Sequence, residues 1–264
     1  MTRNDVIQES YKRISSSGLL QTKLVPISSL GNILEYTGKL LMGLTYNETQ
    51  EHGTLVDTLI NGVIEYILKE DNRYIIPRTV YIGVNDPNEQ ERKGKQDRWE
   101  KVNNTVPALW YRTDTSYSQL TYLLQGIYRF EPELVKSITN NIYDNNWQIT
   151  RIDGKPAENG NYNTPFPNIQ LRKYYMKELV DKDHNLLEHL CYFITKYFIG
   201  SGSDSLNSVL IYYSILQEKG ISDNFKGKLK EVISKYLVNY KKDTAEFQGR
   251  ITWLLIDRMR REIL

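Results

Sequence analysis

Apolar residues recur every three or four positions over most of the first quarter and the last third of this 264-residue chain. The spacing is clearest from Leu55 to Ile67, where leucine, isoleucine and valine form one stripe. Because an α-helix turns once every 3.6 residues, such a stripe buries one face of each segment. The pattern predicts helices over about residues 4–14, 28–44, 49–71, 116–130, 132–143, 169–199, 204–219, 222–240 and 243–263.

The middle of the chain has a different pattern. β-Branched and aromatic residues cluster at 74–76, 79–82, 108–112 and 147–152, which predicts short strands, and residues 83–106 are almost entirely polar, which predicts a long loop. The predicted fold class is mainly α. We expect a single domain over residues 1–264, built as a helical bundle, with a β- and loop-rich insertion at 73–165 in the middle third.

Composition narrows the classes of function. The chain carries 34 basic and 32 acidic side chains, a net charge of +2, whereas dedicated nucleic-acid binders usually show a large basic excess. Its single cysteine, Cys191, excludes an internal disulfide and a cysteine zinc cluster. No apolar run approaches the ~18 residues of a membrane span, and the first residues lack a secretory signal pattern. We expect a protein of the cytoplasm, or of a virion assembled there, with no membrane partner.

The sharpest chemical lead is the triplet Asp153-Gly154-Lys155. Metal-dependent nucleases of the restriction-enzyme type place an acid-x-Lys triplet at a strand end and a second acid upstream, and Glu133 fits that position. In this hypothesis Glu133 and Asp153 hold Mg²⁺, while Lys155 activates the attacking water. The alternative is structural, because Asp-Gly is among the strongest two-residue signals for a β-hairpin turn. Pro156 would also interrupt a catalytic strand, so the residues favour the turn.

Other candidate sites have simpler explanations. His184 and Glu188 have a spacing compatible with a metal pair, but they also fit the start of a helix. The basic residues Arg172, Lys173 and Lys177 are expected on the polar face of an amphipathic helix. Phosphate-binding loops, dinucleotide fingerprints and nucleophile elbows are absent from the sequence. We therefore predict no metal and no cofactor.

Residues 2–14, TRNDVIQESYKRI, resemble the first helix of phage head-to-tail connector, or adaptor, proteins. Those proteins tend to begin with a short polar cap, an apolar pair, and a basic pair before an Ile-Gly turn. Here Ile14 is followed by serines before Gly18. The resemblance covers roughly the first 20 residues. It implies a mostly helical protomer, with a β-rich or loop-rich extension, that joins a ring between portal and tail.

These observations predict a non-enzymatic structural or interaction protein, most concretely a ring-forming connector component of a tailed-phage virion. Its partners would be further copies of the chain and neighbouring virion proteins, with nucleic acid close by at most incidentally. The predicted interface residues are Trp99, as an anchor in the polar segment, and Arg258, Arg260 and Arg261 near the carboxyl terminus. Two alternatives remain open: the metal-dependent nuclease, and a helical binding module of the immunity type.

Overall fold

The computed structural model describes residues 1–14, 18–21, 33–70, 72–87, 99–165, 167–181, 203–217, 222–240 and 245–264. Within these ranges the chain forms ten helices: α1 (Arg3–Lys12), α2 (Ile33–Gly43), α3 (Tyr46–Glu51), α4 (Gly53–Glu65), α5 (Tyr117–Ile127), α6 (Pro132–Asp144), α7 (Pro167–Asp181), α8 (Ser203–Leu216), α9 (Asp223–Asn239) and α10 (Phe247–Ile263). The mainly α prediction is confirmed. None of the helices in these ranges is both long and apolar enough to cross a membrane.

Helices α2 and α5 form the most buried pair, with nine of the eleven residues of each helix buried. Glycines allow their backbones to approach closely. A Cβ atom added to Gly38 would lie 2.1 Å from the carbonyl oxygen of Tyr122, and one added to Gly126 would lie 2.5 Å from the Cα of Gly38. Helix α10 packs against α2, α1 packs against α10, and α7 and α8 pack against α5.

Side-chain caps fix the starts of α1, α3 and α5. Thr2, Thr45 and Ser116 each accept a hydrogen bond from the backbone N–H three residues later, and the side chain at that later position accepts one from the capping residue. These reciprocal bonds satisfy N–H groups that a helix start leaves without partners. The cap of α1 is therefore Thr2, so the helix begins one residue before the predicted start at residue 4. Pro132 occupies the first turn of α6, as predicted.

Seven strands make three small antiparallel sheets in the described ranges. They are β1 (Leu68–Glu70) with β2 (Arg73–Ile75); β3 (Thr79–Ile82), β5 (Leu109–Arg112) and β4 (Trp99–Val102) in the order β3-β5-β4; and β6 (Gln148–Thr150) with β7 (Pro156–Asn161). In the three-stranded sheet, Thr79 and Trp99 both pair with Arg112 at one end. Ile82 and Val102 both pair with Leu109 at the other end.

Two predicted elements were wrong. The predicted third helix is two helices, α3 and α4, separated at His52, and its last residues form β1. Strand β1 pairs with β2 across a turn in which Asn72 has a positive φ of 62°, so pairing with a neighbour overrides the helical spacing. The predicted loop at 83–106 contains β4. Residues 28–32, 71, 88–98, 182–199, 218–219 and 243–244 of the predicted elements lie outside the described ranges.

Candidate functional site

The Asp153-Gly154-Lys155 triplet forms the turn between β6 and β7. Gly154 has a φ of +78°, which is strained for residues with a Cβ atom. The backbone N–H of Gly154 donates to the carbonyl oxygen of Arg151 at 3.1 Å, and that of Lys155 donates to Asp153 Oδ1 at 3.0 Å. The hairpin prediction is confirmed.

Glu100, from β4, holds this turn against the three-stranded sheet. Its Oε1 accepts a hydrogen bond from Arg151 Nε at 2.6 Å, and its Oε2 accepts one from the backbone N–H of Asp153 at 2.9 Å. The Thr113 hydroxyl also donates to Glu100 Oε1. Glu100 was predicted only as part of a polar loop, and no feature of the sequence marks it as the anchor of a hairpin that lies about 50 residues away.

The carboxylate of Asp153 forms ion pairs with two cations of the same hairpin, Arg151 and Lys155. Arg151 Nε lies 3.6 Å from Oδ1, and Lys155 Nζ lies 3.4 Å from Oδ2. Burial acts to raise the pKa of Asp153, but the hydrogen bond from the Lys155 backbone and the charge of Arg151 outweigh it, so the pKa lies below its usual value. The ionised form is the one that these contacts stabilise.

Glu133, the second acid of the nuclease hypothesis, lies in the first turn of α6. Its side chain is 81% exposed and accepts a hydrogen bond from Lys136 Nζ at 2.6 Å. No contact in the described ranges joins Glu133 to Asp153 or Lys155. Those ranges also contain no group of three or more histidine, cysteine or acidic side chains placed to hold a metal ion. His184, Glu188 and Cys191 lie outside them. The nuclease assignment stays a prediction.

Trp99 is the first residue of β4, and its side chain is buried within the chain. The side chain is only 3% exposed and contacts Tyr81 edge to face, with ring centroids 6.4 Å apart. Its role as an interface anchor stays a prediction. The exposed apolar residues at this sheet are Ile82, Val84 and Val106.

The three predicted interface arginines of α10 have different surroundings. Arg260 Nη2 donates to the carbonyl oxygen of Leu237 at 2.7 Å, near the carboxyl end of α9. Arg258 is directed to the carboxyl end of α2, with its side chain 15% exposed. Arg261 pairs with Asp257 at 2.8 Å and remains 64% exposed. Of the three, Arg261 offers the most free surface.

The carboxyl end of α2 is enclosed by arginines from three parts of the chain. We call the following set the α2 carboxyl cluster: Arg3, Arg129 and Arg258 with the carbonyl groups of Met42, Gly43 and Leu44. Arg258 Nη1 donates to two of these carbonyls, at 2.8 and 2.7 Å, and Arg3 Nη2 donates to Gly43 at 2.6 Å. The carbonyls at a helix end lack partners within the helix and carry partial negative charge, which the guanidinium groups neutralise.

Arg3 is the most completely bonded member of the cluster. Its Nε and Nη2 donate to the two carboxylate oxygens of Glu48 at 2.7 and 2.6 Å, while its Nη1 donates to Leu254 and Asp257. Burial acts to raise the pKa of Glu48, but the hydrogen bonds from Arg3 and from the Thr45 backbone outweigh it and lower the pKa to about 2. Arg3 therefore joins α1, α2, α3 and α10.

Exposed apolar side chains gather at the Leu109 end of the three-stranded sheet. We call Ile82, Val84 and Val106 the β tip; they are 44%, 84% and 99% exposed. The backbone N–H of Gly83 donates to the carbonyl oxygen of Ala108 at 2.9 Å, which brings the two sequence segments side by side. Val84 and Val106 are thus exposed valines at the two ends of the polar segment 83–106. Nothing in the sequence distinguishes them from the buried Val102.

Comparison with known proteins adds no relatives: no family model, curated protein or solved structure matches this chain. Inferences about function therefore depend on the β tip and the α2 carboxyl cluster.

Proposed function

We propose that this protein is a non-enzymatic structural component that associates head to tail with further copies of itself through the β tip. In this proposal the assembly is a ring, the role is that of a connector in a tailed-phage virion, and the protein moves from the host cytoplasm into the virion. The protomer acts as a helical bundle over 1–264 that presents the insertion 73–165. The observation that carries the proposal is the exposure of the β tip.

The tip differs from the isolated apolar residues that most protein surfaces show. Its three side chains lie on two segments joined by a backbone hydrogen bond, whereas the opposite end of the same sheet is closed: Thr79 is 1% and Trp99 is 3% exposed. When a partner removes clustered apolar groups at the end of an ordered sheet from water, the free energy of the system falls. The proposal takes this partner to be another copy of the chain.

A ring requires two different patches on each protomer, because head-to-tail contacts join unlike surfaces. The β tip supplies one patch. The last turns of α10, where Arg261 is exposed, are the second candidate. A standard interface buries on the order of 1,600 Å² in total, so the tip would form the apolar centre of a larger polar contact.

The proposal is tested by placing charge on the tip. The double variant Val84→Asp and Val106→Asp is expected to abolish association, because burying two carboxylates in an apolar contact carries a large desolvation cost. Val238→Asp is the matched control, since Val238 is 72% exposed but lies on α9. Light scattering coupled to size exclusion gives the masses. Equal association by wild type and double variant would exclude the β tip as the contact.

The helical binding module remains the alternative if wild-type protein is monomeric at all concentrations. In that case the same β tip would contact a different protein. Pull-down from a lysate with wild type and the double variant would then show whether any partner depends on the tip.

A further inference from the structure

The α2 carboxyl cluster contains one guanidinium group that pairs with no carboxylate in the described part of the chain. Arg3 pairs with Glu48 and Asp257, and Arg258 pairs with Glu262. Arg129 forms no such ion pair among the described residues.

The uncompensated group is Arg129, which lies in the turn between α5 and α6. Its Nη1 donates to the carbonyl oxygen of Leu44 at 3.4 Å, its Nη2 donates to the Thr49 hydroxyl, and its guanidinium lies 4.5 Å from the centre of the Phe130 ring. No carboxylate oxygen contacts it among the described residues, and its side chain is exposed. Arg129 is thus a solvent-exposed cation whose hydrogen-bond acceptors, the Leu44 carbonyl and the Thr49 hydroxyl, are both neutral.

Arg258 brings a second guanidinium to the same acceptor. Its Nη1 lies 2.7 Å from the Leu44 carbonyl oxygen that Arg129 also contacts, so the two Nη1 atoms are within about 6 Å of each other. Both oxygens of Glu262 are already engaged, one by Arg258 and one by the Tyr213 hydroxyl.

We propose that Arg129 and Arg258 form a binding site for a phosphate oxyanion, which bridges the two guanidinium groups at the solvent side of the α2 carboxyl cluster. Guanidinium groups present N–H donors in a fixed fork that matches the oxygens of phosphate. A bridging anion relieves the repulsion between the two cations, and it leaves the bonds from Arg258 to Met42 and Leu44 in place. This site does not depend on ring formation or on the β tip.

The test is calorimetric titration of the full-length protein with inorganic phosphate, at constant ionic strength maintained with chloride. Wild type is expected to bind saturably, at one site per chain. Arg129→Gln should weaken binding by about tenfold or more, because a charge-assisted hydrogen bond is lost. Arg129→Lys keeps the charge but not the fork, and should bind with intermediate affinity. Arg261→Gln, which alters an exposed arginine of the same region, should bind like wild type.

Thermal melting in chloride establishes that each variant is folded before titration. A short thymidine oligonucleotide distinguishes two sources of the phosphate. If it competes with inorganic phosphate in an Arg129-dependent manner, the site accepts nucleic-acid phosphates; if it does not compete, the site takes free phosphate or a small phosphomonoester. Either result supports the site. Folded Arg129→Gln or Arg129→Lys protein with wild-type phosphate affinity, or wild type that does not distinguish phosphate from chloride, would overturn it.

Discussion

The α2 carboxyl cluster and the β tip differ in the type of side chain they contain and in where those side chains are directed. At the cluster, long cationic side chains are directed inward and bind carbonyl groups at a helix end. At the tip, short apolar side chains such as Val106 are directed into solvent. The cluster joins helices from both ends of the chain, α1, α2 and α3 with α10, whereas the tip contacts little of its own chain. We therefore expect the cluster to determine folding stability and the tip to determine association, so that substitutions separate the two properties.

The largest effect is expected at Arg3. Arg3→Ala leaves Glu48 and the Gly43 carbonyl without their partner inside the protein, and breaking a buried ion pair costs about 3–5 kcal/mol. Arg261→Ala removes an ion pair that is largely exposed and should cost less than about 1 kcal/mol. Urea denaturation of both variants measures the difference. Similar losses would mean that the cluster is no more important for stability than the surface.

Acid should weaken the ion pair between Arg3 and Glu48. The pKa of Glu48 is about 2 in the folded chain and 4.5 when the carboxyl group lacks these contacts. The contribution of Glu48 to the free energy of unfolding is therefore present above pH 4.5 and is lost as the pH falls toward 2. The contribution is on the order of 2–3 kcal/mol. Glu48→Gln should lower stability at pH 7 and flatten the acid dependence. Glu133→Gln, at an exposed position, should reproduce the wild-type acid curve; an unaltered curve for Glu48→Gln would contradict the assignment.

A single methyl group should have opposite effects at two helical glycines. Gly38→Ala places a Cβ atom against the Tyr122 backbone and should cost about 1–3 kcal/mol through overpacking. A Cβ atom at Gly227, in α9, meets nothing within 4 Å, so Gly227→Ala should stabilise the helix by about 0.5–1 kcal/mol. Thermal melting gives both signs. Stabilisation by both substitutions would show that α2 and α5 are not in close contact.

The smallest effect is expected at the β6–β7 turn. Asp153→Ala combined with Lys155→Ala removes ion pairs at the surface and should cost less than about 1 kcal/mol while association is unchanged. Purified wild type with Mg²⁺ or Mn²⁺ is expected not to cut DNA or RNA. Divalent-dependent cleavage that disappears in the double variant, and in Glu133→Ala, would replace the structural proposal with the nuclease.

Helical periodicity predicted most of the described helices, because helices such as α4, α6 and α9 each bury a stripe of their own residues. The sequence patterns failed at Leu68–Glu70, predicted as helix, and at Trp99–Val102, predicted as loop, which form strands by pairing with β2 and β5. Such pairing depends on contacts between strands, which the residue propensities of one short window do not record. The same reason explains why Glu100 was not recognised: its partners, Arg151 and Asp153, come from another hairpin.

Charged residues were predicted least well. Arg172 was placed on a solvated helix face, but it is 1% exposed and lies 5.0 Å from the centre of the Tyr117 ring. Arg258 binds carbonyls of α2 in the same chain, which the sequence did not indicate, and its interface role stays a prediction. A long cationic side chain fits both solvent and a buried helix end, and only the arrangement of helices decides between them.

The mass of the wild-type particle in solution tests the central claim most directly. We predict that light scattering coupled to size exclusion, over a range of protein concentrations, finds a species several times the 31.0 kDa of one chain. We also predict that Val84→Asp with Val106→Asp reduces this species to 31.0 kDa with unchanged thermal stability. A wild type that remains at 31.0 kDa at the highest concentration, with and without lysate, would contradict self-association through the β tip.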